Sequence, residues 1–328
     1  MPTPQPRDAR GRFLNLDGTG QPTWGSVLRW AVVDRLAGRR RASPARARVP
    51  RVEADRALLR EPPPPGAPAR LTWLGHASFL VQLDGVSLLV DPVLLDGIFG
   101  GIRRNLAPGL LLEDLPPIDA ALVTHGHYDH LDLPTLERVG APVVAGLGAG
   151  RVVRRAGLAV QELGWWEETR VGGVRVTFVP AQHWSRRTLF DTNTALWGGF
   201  AIEGQPATVY HAGDTAWFDG FREIGARFPG IDAALLPIGA YDPAWFMERQ
   251  HMNPEQAVRA FRELGARTLV AMHWGTFKLT DEPLDEPPRR LIAERVRLGL
   301  PEDRVRVQAV GEAIEVARSA RAAASASP

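Results

Sequence analysis

Residues 120–130 read Ala120-Ala121-Leu122-Val123-Thr124-His125-Gly126-His127-Tyr128-Asp129-His130. Four apolar residues in a row suit a strand covered on both faces. Four side chains able to ligate a metal then fall within positions 125–130, with Gly126 among them to turn the chain. A segment that leaves a strand and turns there can bring His125 and His127 onto one ion while Asp129 and His130 reach a neighbouring one. An isolated histidine is ordinarily a core or surface residue. A His-x-His-x-Asp-His cluster at the end of a buried strand is not accounted for that way, and it is read as metal binding.

Outward from this stretch the same pattern recurs. Short β-type runs are expected at Leu71–Leu74, Phe79–Leu83, Ser87–Val90, Val174–Val179, Ala195–Ile202, Thr208–Tyr210, Ala233–Leu236 and Thr268–Met272. Helical segments are expected between them, at about Leu133–Val139, Phe218–Phe228, Pro254–Leu264 and Pro288–Leu298. The reading is an α/β protein with two central sheets and helices outside. Asn253 as cap, Pro254 at the first helical position and Glu255-Gln256 behind it mark one helix start. Three further ligand types stand just after apolar runs: His183, Asp214 and His273. Together with the central motif they would complete a two-metal site, in which a carboxylate such as Asp214 can bridge the ions and lower their repulsion.

The 328 residues are 45% hydrophobic and 23% charged, an ordinary globular composition consistent with one large domain. No apolar stretch is long enough to span a bilayer, and the Arg- and Pro-rich start lacks the apolar centre of a secretory signal, so a cytoplasmic protein is expected. The absence of cysteine excludes disulfides, thiolate ligands and a cysteine nucleophile. The 39 Lys and Arg nearly balance the 37 Asp and Glu, Lys278 is the only lysine, and no separate basic domain appears; nucleic acid is therefore not an expected partner.

Residues 1–70 read as an Arg/Pro-rich extension closing on Pro62-Pro63-Pro64-Pro65-Gly66, residues 71–318 as the catalytic domain, and 319–328 as a flexible Ala/Ser tail. Within the extension, Thr23 can cap a short amphipathic helix with Trp24, Val27, Leu28, Ala31 and Val32 toward one side, followed by Arg35, Arg39, Arg40 and Arg41. That apolar side is expected to dock on the main domain. Peripheral contact of residues 23–41 with a membrane is the alternative.

Seven stretches together resemble the metallo-β-lactamase superfamily, and within it the N-acyl-phosphatidylethanolamine-hydrolysing phospholipase D family. They are Trp73-Leu74-Gly75-His76-Ala77-Ser78, Asp91-Pro92, His125 to His130, Gln182-His183-Trp184, Gly213-Asp214-Thr215, Pro237-Ile238-Gly239-Ala240-Tyr241 and His273-Trp274-Gly275-Thr276-Phe277. The resemblance implies a four-layer αββα sandwich and two Zn2+ per chain. It implies that one ion is held by His125, His127 and His183, the other by Asp129, His130 and His273, and that Asp214 lies between them. Imidazole-rich sites suit zinc, and where related iron proteins carry Glu at the second motif position this chain has His127.

The implied reaction is phospholipase D-type hydrolysis of a phosphodiester by a metal-bridging hydroxide, with Asp129, Asp214 and His251 taking part in catalysis. Trp184, Arg186, Tyr241, His251 and Phe277 are candidate substrate contacts, with Trp245, Phe246 and Met247 as further apolar walls and Arg187 as a second phosphate-binding candidate. His76 and Asp91 are expected to orient metal ligands from behind, and His211 to pack beside Asp214. A hydrolase of another ester, lactone or small phosphate ester keeps the same metals. A non-catalytic metal-binding, envelope-associated protein is the alternative outside enzymology. Classical β-lactamase activity is disfavoured, since Asp214 would crowd the bridge and no cysteine ligand exists.

Overall fold

The computed structural model describes residues 5–318; the Ala/Ser tail expected at 319–328 lies outside the described residues. Two seven-stranded sheets form the centre. In chain order the strands are β1 (Ala69–Gly75), β2 (Ser78–Leu83), β3 (Val86–Val90), β4 (Ala120–Val123), β5 (Val143–Gly146), β6 (Val160–Leu163), β7 (Glu168–Val171), β8 (Val174–Val179), β9 (Gly199–Glu203), β10 (Thr208–His211), β11 (Ala233–Pro237), β12 (Thr268–Met272), β13 (Val305–Arg306) and β14 (Ala313–Val316). One sheet runs β14-β1-β2-β3-β4-β5-β6 and the other β13-β12-β11-β10-β9-β8-β7. Each sheet is antiparallel in one half and parallel in the other, changing at β3 and at β10.

The continuous apolar runs follow from burial on both faces. Leu88, Val90, Ala120 and Leu122 enter the large central core, which also holds Phe178, Phe200, Val209 and Leu235 of the other sheet. Their neighbours point outward: Ala121 and Val123 pack with Leu136 of helix Leu133–Val139 and Val153 of helix Gly150–Arg155, and Leu89 with Leu59, Leu94 and Leu110. Strand alternation thus feeds a layer on each side of the sheet. Behind the second sheet, Phe221 and Ile224 of Gly220–Arg227 and Val258 and Phe261 of Pro254–Leu264 join the large core. This is the expected αββα sandwich. Each such Val, Leu, Ile or Phe side chain contributes about 1.5–3 kcal/mol by leaving water.

The start of Pro254–Leu264 is the capping box read from Asn253 and Gln256, with both reciprocal bonds formed. The N-terminal helical stretch differs from expectation. Thr23 does cap Trp24–Leu28, which continues through a π-helical turn at Arg29–Val33 into Asp34–Leu36. Of the side expected to dock, Trp24, Leu28 and Val32 stay 62%, 58% and 44% exposed, and only Val27 and Ala31 are half-buried. The contact is made by Trp30, which stacks on Phe246 and donates to Asp281. Arg40 and Arg41 tie the following segment to Asp281 and Glu286. No helix among the described residues is long and apolar enough to cross a membrane.

Candidate metal centre

Every expected ligand lies just beyond the C-terminal end of a strand. His76 follows β1, the His125–His130 turn follows β4, His183 comes after β8, Asp214 after β10 and His273 after β12. Parallel and antiparallel strands converge here on one rim, so residues far apart in sequence meet. The backbone is forced at several of these points: His76, Asp91 and His273 have φ of 56°, 43° and 58°, a region that non-glycine residues enter mainly under local constraint. Gly213, at φ 62°, precedes Asp214; a Cβ there would lie 2.6 Å from the Gly198 carbonyl oxygen.

Three imidazoles meet first. His125 Nε2 lies 2.9 Å from His127 Nδ1, and His183 Nε2 lies 3.2 Å from the same atom. Burial first, then the neighbouring rings, depress all three: His127 to about 3, His183 to about 4 and His125 well below its ordinary value. Neutral rings aiming nitrogens at one point have a lone pair each to give to a cation. An ion with Zn–N bonds of about 2.0–2.1 Å in tetrahedral geometry spaces its nitrogens about 3.3 Å apart, close to what is seen.

The second group is His76, Asp129, His130 and His273, whose ligand atoms lie within 4.8 Å of one another. His76 Nε2 is 3.0 Å from Asp129 Oδ2, which lies 3.7 Å from His273 Nε2 and 3.8 Å from His130 Nε2. Asp214 spans both groups. Its Oδ1 faces His273 Nε2 at 3.0 Å, while Oδ2 faces His130 at 3.2 Å, His183 at 3.8 Å and His125 at 3.9 Å. Burial disfavours charge on His130 and His273, but Asp214 and the other carboxylates outweigh it, raising His273 to about 9 and His130 well above its ordinary value. Buried His130 Nε2, His273 Nε2 and Asp214 Oδ1 nonetheless make no well-formed hydrogen bond, as expected of atoms arranged for metal rather than for each other.

The groups behind the ligands fix their direction. Asp91, fully buried, accepts from Thr124 N (2.8 Å) and Thr124 Oγ1 (2.7 Å) and lies 2.7 Å from His130 Nδ1. The bond at Nδ1 keeps His130 Nε2 free to ligate. His183 is directed in the same way by the Gln250 carbonyl, 2.8 Å from Nδ1. His211 packs beside Asp214: its Nε2 lies 2.9 Å from the Ala77 carbonyl oxygen and its Nδ1 accepts from Gly213 N. Gln250, Thr124 and Asn15, whose amide holds the His183 main chain, were not among the residues singled out from sequence. Only Thr124 and Gln250, each adjacent to a candidate histidine, carried any signal there.

The candidate substrate contacts divide. Trp184 meets His127 edge-on and, with Trp245 and Phe246, lines a cavity of about 480 Å³ that reaches His183 and is also bordered by residues 19–23, Ser26 and residues 248–250. His251 Nδ1 is buried without a partner, 3.9 Å from Asp214 Oδ2, and the residue also borders a second cavity of about 220 Å³ with Tyr241, Arg41 and Arg290. The Tyr241 hydroxyl donates to Glu286. The Arg186 guanidinium lies between the Trp24 and Trp184 rings.

Phe277 is buried edge-on against His76 with the Arg104 guanidinium 5.4 Å from its ring, and it lines, with His76 and His273, a cavity of only about 20 Å³. Arg187 likewise is committed: it donates to the Gly126 and Leu131 carbonyls and clamps the metal-binding turn from both ends. Met247 is buried behind the aromatic wall.

Residues 87–274 match the family model described as the beta-lactamase superfamily domain. The chain is 39% identical to N-acyl-phosphatidylethanolamine-hydrolyzing phospholipase D 1 of Caenorhabditis elegans, over 67% of this chain and 68% of that one. The chain belongs to the metallo-β-lactamase superfamily, on its N-acyl-phosphatidylethanolamine phospholipase D-like branch. An uncharacterized protein of Mycobacterium tuberculosis is 36% identical over 94% of this chain and 85% of its own. Among solved structures, the metallo hydrolase Igni18 of Ignicoccus hospitalis superposes with a TM-score of 0.57 at 26% identity, covering 75% of this chain and 97% of that one. Superfamily membership and the His/Asp cluster make this chain a metal-dependent hydrolase.

Proposed function

We propose that this chain is a zinc phosphodiesterase that hydrolyses N-acyl-phosphatidylethanolamine-type phospholipids taken from a membrane surface, releasing phosphatidic acid and an N-acylethanolamine. The observation that carries the lipid part is the cavity of about 480 Å³ beside His183, walled by Trp184, Trp245 and Phe246. Thr23 and Ser26, at the start of the N-terminal helical stretch, line it as well. From there Trp24, Leu28, Val32 and Leu36 recur every fourth residue, all exposed. Such a stripe beside a cavity mouth fits a helix lying in a lipid interface. Arg29 and Arg39, exposed and both paired with the buried Asp34, leave one net positive charge available to anionic head groups.

An imidazole- and carboxylate-rich donor set without cysteine suits zinc. One ion would be held by His125, His127 and His183, a second by Asp129, His130 and His273, with Asp214 shared. When bound, the ions neutralise the phosphate oxygens and make a water acidic enough to attack near neutral pH. The protein's own part is to orient and to move protons. Asp91 and the Gln250 carbonyl fix the tautomers of His130 and His183. Asp129 Oδ2, in a partly exposed carboxylate, can take a proton from the water. Burial holds the His251 imidazole neutral, well below its ordinary pKa, so its Nδ1, facing Asp214 without a partner, can hold a substrate oxygen through a hydrogen bond, while the proton taken up by Asp129 passes to the leaving alcohol.

The test is zinc-loaded protein on vesicles containing N-acyl-phosphatidylethanolamine, with both products followed by mass spectrometry. Formation of both, lost in Asp214→Asn, is expected. Turnover of lactones or small phosphate esters with no phosphatidic acid from vesicles would overturn the substrate. Vesicle sedimentation of Leu28→Glu/Val32→Glu tests the helix: loss of binding is expected, and binding equal to wild type contradicts the interfacial role.

A further inference from the structure

The metal-ligating loop that carries His183 has little structure of its own. Residues 180–198 contain no helix or strand, only bends and turns. A ligand on so long a connection needs fixing from outside. The fixing comes from residues 13–21, about 170 positions away. Asn15, 1% exposed, accepts from His183 N at 3.0 Å through Oδ1 and donates to the His183 carbonyl at 3.0 Å through Nδ2. The carboxamide thereby grips both main-chain polar groups of one metal ligand, as a neighbouring strand would. Its own position is set by Trp197, whose indole N–H donates to the same Oδ1 at 2.9 Å.

The rest of the strap adds to this grip. Gln182, preceding His183, donates to Asp17 Oδ2 at 2.8 Å and Thr19 Oγ1 at 3.1 Å. Phe13, buried, donates its N–H to the Asn193 carbonyl. The Asn193 side chain accepts from Ser185 N and donates to Gln21. Ser185 Oγ in turn accepts from Gly126 N, inside the central His-rich turn. A continuous line of bonds therefore joins the N-terminal strap to both segments that supply His125, His127 and His183.

We infer that Asn15 is a positioning residue for the His125/His127/His183 metal position, and that the strap at residues 13–21 sets the affinity of that position. The inference rests on the metal reading above. Asn15 bonds the main chain of His183 directly, while no strap residue hydrogen-bonds Asp129, His130 or His273, so the larger effect falls on the His125/His127/His183 position. Loss of a partner that orients a ligand typically weakens metal binding 10–100-fold.

The experiment is titration of metal-free full-length protein with Co2+, read by visible absorption and calorimetry, for wild type, Asn15→Ala and the milder Asp17→Ala. Wild type is expected to take up Co2+ in two classes. Asn15→Ala is expected to weaken one class tenfold or more and leave the other at wild-type affinity, and Asp17→Ala to shift the same class by a few-fold. Wild-type affinity and spectrum in both variants would overturn the inference. So would equal weakening of both classes, which is what general loosening of the fold produces. If Asn15→Ala does not fold, Asp17→Ala decides alone, and an unaltered titration refutes the role. No uptake by wild type would overturn the metal reading itself and this inference with it.

Discussion

Asp91→Asn alters one atom and one charge in a side chain that is fully buried behind His130. The amide oxygen must stay on the Oδ1 side, where Thr124 N donates at 2.8 Å. That orientation turns an NH2 toward His130 Nδ1 and Thr124 Oγ1, both 2.7 Å from the atom it replaces. His130 must then accept at Nδ1 and carry its proton on Nε2, the atom that faces Asp214 at 3.2 Å. The ligand lone pair is lost to the wrong tautomer.

An orienting bond of this kind is worth 10–100-fold in affinity, about 1.4–2.8 kcal/mol. Losing hydrogen bonds to a buried carboxylate destabilises the metal-free fold as well, by about 1.5–3 kcal/mol for each bond. The Thr124 hydroxyl can still accept from His125 Nδ1, 3.0 Å away, so the His125/His127/His183 position is expected to keep its affinity. Competition against a chromophoric chelator measures both positions. Wild-type affinity at both, or an equal loss at both, would refute the tautomer argument.

Metal-free protein is expected to be most stable near pH 6.5. His273, raised from 6.5 to about 9, contributes stability that is complete below 6.5 and disappears as pH climbs through 9; His130 acts in the same direction. His127, His183 and His76, depressed to about 3, 4 and 4, lose their contribution as pH falls from 6.5 through those values. A metal-free Tm that rises from pH 6.5 to 9 would contradict this. Asn253→Ala removes a formed capping box and should cost about 1 kcal/mol in denaturant unfolding, with metal affinity unchanged. Tyr210→Phe deletes a buried hydroxyl that has no partner; equal or higher stability is expected, and a loss above about 1 kcal/mol would show that the hydroxyl is satisfied.

The central strands were legible because burial on both faces writes a continuous apolar run, and Ala120–Val123, Val174–Val179 and Thr268–Met272 have the bounds expected of them. The strands left unread are mainly at the sheet edges: Val160–Leu163, Glu168–Val171, Val305–Arg306 and Ala313–Val316. An edge strand buries less, and Val305–Arg306 is only two residues long, so its sequence carries little pattern. In the site, the ligand types were readable because each stands at the end of such a run. Asn15 was not, since an asparagine in a Pro- and Gly-rich stretch looks like any turn residue until the fold brings it against His183. The place of Phe277 is hard to read for a related reason: an aromatic near a candidate histidine has the same letter whether it faces substrate or packs, as here, on His76.

The central claim, that seven side chains hold a pair of cations, is tested most directly by crystals of the zinc-loaded protein examined by anomalous diffraction at the zinc edge. Two peaks are predicted, one among His125, His127 and His183, the other among Asp129, His130 and His273, with Asp214 reaching both. A single peak, or zinc held elsewhere on the chain, would contradict the account.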